Sequence, residues 1–130
     1  MQNKPLTILA LPAAFALSAC ATTAGAPLPD GSDVALGQKA YVDGPLVQPV
    51  EVVEDSRCPM NARCVWAGRT RLSVRIELGS RSETREIGSD QPIQVADGQL
   101  SLVEVRPDTM AGQPVDPAAY RFGFTFAGGL

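Results

Sequence analysis

Arg69-Thr70-Arg71-Leu72-Ser73-Val74-Arg75-Ile76-Glu77-Leu78 alternates polar and apolar side chains from Arg71 to its end. Successive side chains of an extended strand point to opposite faces. Leu72, Val74, Ile76 and Leu78 therefore share one face, and Arg71, Ser73, Arg75 and Glu77 the other. A period of two with a single apolar face specifies a strand packed on one side and wet on the other.

The same period continues outward in both directions. Downstream, Gly79-Ser80 turns the chain into a strand over Ser82–Ile87. Pro92–Val95 and Leu100–Arg106 flank Asp97-Gly98, a favoured hairpin dipeptide, and Pro107 ends the pair. After a polar loop from Asp108 to Ala118, Tyr120, Phe122, Phe124 and Phe126 alternate with Arg121, Gly123 and Thr125. Aromatics at that spacing face one side, so this last strand is expected at the centre of the core rather than as an aromatic ligand platform. Upstream, Leu46–Glu54 reads as a strand in which Pro49 cannot donate to a ladder, which places it at an edge or a bulge. Gln38–Val42 precedes it, ended by Asp43-Gly44. The pattern predicts an all-β domain, a small antiparallel β-sandwich or barrel of about seven strands. The segments are mostly too short for a membrane-spanning barrel.

The amino terminus reads differently. Lys4 gives a positive start, the apolar run Leu6–Leu17 follows, and Leu17-Ser18-Ala19-Cys20 closes it with small residues, the order of an export signal. Interrupted by Pro12, the run is shorter than the roughly 20 residues of a spanning helix. Leu17-Ser18-Ala19-Cys20 resembles the lipobox of bacterial lipoproteins. That resemblance implies cleavage before Cys20, acylation of Cys20, and, with Ala21 rather than Asp next, anchoring in the outer membrane facing the periplasm. The expected organisation is a signal over 1–19, a lipidated Cys20 with a flexible tether over 20–33, and one β domain over 34–130. The tether is expected from the Ala-, Thr-, Gly- and Pro-rich composition of Ala21–Asp33.

Three cysteines would leave one thiol unpaired in an oxidising compartment. With Cys20 assigned to lipid, Cys58 and Cys64 remain as a disulfide pair. So short a closed loop is worth about 2 kcal/mol by chain entropy. A soft-metal site of Cys58, Cys64 and Met60 is the competing use, suited to Cu(I).

Asp55-Ser56-Arg57-Cys58-Pro59-Met60-Asn61-Ala62-Arg63-Cys64-Val65-Trp66-Ala67-Gly68 is the one distinctive segment. It resembles a family of small exported bacterial proteins, many of them lipoproteins, that carry Asp-Ser-Arg-Cys-Pro and Cys-Val-Trp-Ala-Gly between a hydrophobic strand and an alternating one. The match covers these fourteen positions and implies export without implying an activity. Two readings compete. In one the segment is a structural corner, with Asp55 pairing Arg57 and with Val65 and Trp66 buried over the bridge. In the other it is presented to an envelope protein or anionic polymer, with Arg57, Arg63, Trp66, Arg69, Arg71 and Arg75 as the binding residues.

Charge and composition exclude much else. The net charge of −3 becomes one unit more negative once Lys4 leaves with the signal, so no basic excess exists for nucleic acid. The chain has no histidine, which removes the commonest general base and histidine-ligated metal sites. A Ser-Lys dyad would have to use Lys39, which no neighbouring motif supports, and Glu54 and Asp55 sit beside the distinctive loop as a conceivable carboxylate pair that no context flags. The expectation is a non-catalytic, lipid-anchored envelope module without a cofactor.

Overall fold

The computed structural model describes residues 10–16 and 25–128. Cys20, and with it the lipidation expected there, lies outside the described residues, as does most of the signal segment. Among the described residues no helix is long and apolar enough to cross a membrane.

Among the described residues seven strands form: β1 (Ala40–Tyr41), β2 (Leu46–Asp55), β3 (Thr70–Leu78), β4 (Arg81–Gly88), β5 (Ile93–Val95), β6 (Gly98–Arg106) and β7 (Arg121–Gly128). They pair antiparallel in two sheets, β1-β2-β3-β4 and β5-β6-β7. The molecule is thus the sandwich, and the closed-barrel alternative is not realised. Leu72, Val74 and Ile76 of β3 are buried with Val47 and Ile87 from the first sheet. Val95, Leu100, Leu102, Phe122 and Phe124 face them from the second. Tyr120, just before β7, stacks on Phe122 with ring centroids 5.5 Å apart, so the aromatic strand lies in the core as its spacing predicts.

Pro49 sits at a bulge in β2, and a second bulge follows near Val53. Each inserts an unpaired residue, and Val50 and Val53 are turned outward despite being valines. Val103 is exposed at the corresponding irregularity of β6.

The hairpin expected at Asp97-Gly98 is displaced by one residue. Val95 pairs with Gly98, so the loop is Ala96-Asp97, with Ala96 at φ 50°. Gly98 opens β6 because a Cβ there would lie 2.5 Å from the Ala127 carbonyl oxygen and from the Phe126 ring. Its role is close packing rather than turning.

Backbone pairing also extends into the stretch expected as a tether. The Leu28 amide donates to the Lys39 carbonyl at 2.8 Å, and the Tyr41 amide to the Leu28 carbonyl at 2.8 Å. Val34 exchanges both backbone bonds with Phe122 at 2.8 and 2.9 Å, and the Phe124 amide reaches the Gly31 carbonyl at 2.7 Å. Residues 28–34 therefore seam the β1 edge of one sheet to the β7 edge of the other. Among the described residues, pairing therefore reaches back at least to Leu28, ahead of Val34, because backbone amides carry it and leave no side-chain pattern. On the opposite side the β4–β5 turn carries the chain from one sheet to the other, its first residue held on β3 by the Ser89 amide donating to the Thr70 carbonyl at 2.9 Å.

Candidate functional site

The distinctive segment is the connection from β2 to β3, at the end of the sandwich where β6 leaves and β7 begins. Its base is closed by Ser56, whose amide donates to the Arg69 carbonyl at 2.8 Å and whose Oγ accepts from the Arg69 amide at 3.0 Å. Gly68 is required beside this contact, since a Cβ would overlap the Ser56 carbonyl and lie 2.7 Å from the Arg57 Cα. Cys58 and Cys64 are bridged, with their Cα atoms 5.9 Å apart. Both sulfurs are thereby in covalent use and not free as thiolate ligands for a soft metal.

A second loop braces the first. The Met60 amide donates to the Thr109 carbonyl at 2.8 Å, and Asn61 Oδ1 accepts from the Ala111 amide at 2.8 Å. The bridged loop is thus held at its base, across its sulfurs and along its flank.

Beneath it lies a polar latch. Arg57 grips Asp55 in bidentate fashion, Nε to Oδ1 at 2.8 Å and Nη2 to Oδ2 at 2.9 Å, while its Nη1 donates to the Val105 carbonyl at 3.1 Å. The Tyr120 hydroxyl donates to Asp55 Oδ2 at 2.7 Å. One carboxylate so ties β2, the disulfide loop and the approach to β7 together, and the Arg57 contact adds β6. Burial alone would raise the Asp55 carboxyl, but hydrogen bonds from Arg57 and Tyr120 and the guanidinium charge outweigh it and hold Asp55 below its ordinary range. Burial, reinforced by the Asp55 hydrogen bond and charge, pushes the Tyr120 hydroxyl up to about 12. Hydrogen bonding to Asp55 likewise raises Arg57.

The sequence-predicted site residues divide into two groups. Arg57 pairs with Asp55, and Arg69 pairs with Glu54 at 2.9 Å and Asp90 at 3.5 Å. Arg71 pairs with Glu86 and Glu54, and Arg75 with Glu77 at 3.5 Å. These four guanidiniums serve strand-face and latch ion pairs, and Glu54 and Asp55 are committed with them. Arg63 is exposed and makes no ion pair among the described residues. The expectation that Val65 and Trp66 cover the bridge is overturned. Val65 is 96 % exposed, Trp66 63 % and Met60 68 %. The bridge and the bracing loop hold the backbone in a shape that turns these side chains outward.

Three residues were invisible to sequence reasoning as parts of the site. Tyr120 was legible as the first aromatic of the core strand, but nothing local marks its hydroxyl as a partner of Asp55, 65 positions away. Thr109 and Ala111 lie in a polar loop that braces the site mainly through backbone atoms, the Thr109 hydroxyl adding a bond to the Arg57 carbonyl at 3.4 Å.

Compared with known families, curated proteins and solved structures, the chain matches no family model, no curated protein and no solved structure.

Proposed function

We propose that the chain is an exported envelope protein, anchored by lipid at Cys20 in the outer membrane and facing the periplasm. It acts there as a non-catalytic interaction module whose contact surface is the Cys58–Cys64 loop. The observation that carries this reading is the exposure of Met60, Val65 and Trp66 on a loop braced from three sides. Burying such a side chain is worth about 1.5–3 kcal/mol, and a loop serving only as a corner would collect that stabilisation. A braced loop that holds three of them in solvent fits a surface meant for contact.

The cysteines support the anchor. Two of the three are joined to each other, which leaves Cys20 as the one available for lipid. The arginine-rich version of the contact is weaker, because Arg57, Arg69, Arg71 and Arg75 face acids of the same molecule. The contact is mainly apolar, with Arg63 as its cation.

Two measurements test the proposal. Mass analysis of the mature protein is expected to find an acylated amino-terminal Cys20. A photoreactive residue in place of Val65 is expected to give covalent adducts in intact cells that the same residue at Ser80, in the β3–β4 turn, does not. An unacylated product, or equal labelling at the two positions, would overturn it.

A further inference from the structure

The direction in which the chain leaves the sandwich identifies what the loop meets. β2 runs toward the disulfide loop and β1 runs antiparallel to it, away from the loop. Leu28 pairs with Ala40 in parallel, so residues preceding Leu28 run back toward the loop end. Gly25 and Ala26 accordingly border a cleft with Gly37, Gln48 and Arg121, and Arg121 opens β7 at that end. Cys20 lies five positions before Gly25, at most about 18 Å of chain. A lipid at Cys20 would thus hold the disulfide-loop end, rather than the far end, close to the bilayer.

The two ends differ in chemistry in the matching sense. The disulfide loop presents Met60, Val65, Trp66 and Arg63 and no acidic residue occurs from Ser56 to Arg69, while the exposed acids of this end, Asp90 and Asp108, belong to neighbouring turns. The far end is made of the turns at Asp43-Gly44, Gly79-Ser80 and Ala96-Asp97, polar and partly acidic. Among the described residues of the folded domain, the three most exposed large apolar side chains, Val65, Met60 and Trp66, sit with Arg63 on the end that the tether faces, whereas the far end exposes Tyr41 by 50 % and Arg81. Tryptophan favours the headgroup level, where its ring is apolar and its N–H can remain hydrated. Basic residues at that depth are attracted to anionic lipid.

From these placements we infer that the loop's partner is the bilayer itself. Met60, Val65 and Trp66 enter the interfacial region of an anionic phospholipid leaflet with Arg63 at the phosphates. The inference rests on the proposed anchor at Cys20. Lipid attachment brings this end to the surface, and the inserted loop fixes its depth and tilt.

Trp66 is the only tryptophan, so its emission reports the tip alone. The experiment places the acylated protein in phosphatidylethanolamine–phosphatidylglycerol vesicles. Flotation reads the anchor, and quenching of Trp66 by brominated acyl chains or by aqueous iodide reads the tip. The expected result is co-flotation, strong quenching by the brominated lipid and shielding from iodide. Co-flotation with Trp66 open to iodide would overturn the inference and leave the anchor standing. Co-flotation with Trp66 shielded from both quenchers would overturn it in favour of a protein partner or a second copy. A chain that does not float would overturn the anchor and this inference together. Arg63→Glu, at an exposed position, is expected to keep the melting temperature and to shift the ratio of lipid to iodide quenching toward iodide, about five-fold per unit of charge. The same substitution is expected to have no effect on phosphatidylcholine vesicles, and an unchanged ratio on the anionic ones would count against the inference.

Discussion

Replacing Tyr120 with Phe removes one oxygen and leaves the ring that stacks on Phe122 at 5.5 Å. What is lost is the hydroxyl donated to Asp55 Oδ2 at 2.7 Å. Hydrogen bonds to charged groups contribute about 1.5–3 kcal/mol. Asp55 keeps both Arg57 contacts in the variant, so the carboxylate is not orphaned and a value of about 2 kcal/mol follows from the lower part of that range. For a domain of this size the melting temperature is expected to fall by roughly 10 °C. The alkaline limb supplies an independent signature. The folded state raises Tyr120 from 10.0 to about 12, so it binds the proton more tightly than the unfolded chain does. The associated stability is fully present below pH 10 and is lost as the pH rises toward about 12. The Tyr120→Phe variant has no such group, and its stability should approach that of the natural protein across this window. Urea unfolding followed by far-ultraviolet circular dichroism, at neutral pH and through the alkaline range, measures both. A loss below about 0.5 kcal/mol at neutral pH, the range of an ordinary surface substitution, would refute the latch. So would a gap between the two proteins that stays constant from pH 10 to about 12.

Other consequences follow from the same contacts. Converting Cys58 and Cys64 together to Ser is expected to cost about 2 kcal/mol in urea unfolding, since the bridge closes a short loop. The core strands should persist in that variant by circular dichroism. Gly68→Ala forces a Cβ against the Ser56 carbonyl and should destabilise by about 3 kcal/mol. Gly79→Ala, with open space around it, serves as the comparison in the same assay for a glycine whose cost is backbone conformation alone. Asp55 is held below its ordinary 3.8, so its contribution is present above that value and lost as the pH falls through the lower folded value. An Asp55→Asn variant should show a flatter acid limb in urea midpoints measured down the same pH range.

The parts of this fold that were legible are those where side chains carry the pattern. Leu72, Val74 and Ile76 alternate because one face of β3 packs on the opposing sheet, and Phe122 and Phe124 alternate for the same reason. The parts that were not legible are carried by backbone or by distant partners. Residues 28–34 pair through amides and carbonyls, and Gly and Pro there resemble linker composition. Val50 and Val53 have strand-forming side chains, yet bulges place them outside, and a bulge shifts the face without a compositional mark. Gly98 occupies the second place of a hairpin dipeptide, but close approach of β7, not turn geometry, selects it. The distinctive loop was legible as a unit while the direction of its side chains was not. Whether Trp66 covers the bridge or points away depends on Thr109 and Ala111 bracing the loop from more than forty positions downstream.

Hydroxyl-radical footprinting of the acylated protein in anionic vesicles carries its own internal reference. Tyr41 is 50 % exposed at the far end of the sandwich, whereas Met60 and Trp66 lie on the loop. With each reactivity normalised to the urea-unfolded chain, docking of the loop predicts that Met60 and Trp66 are protected while Tyr41 reacts freely. Met60 and Trp66 reacting as freely as Tyr41 would contradict it.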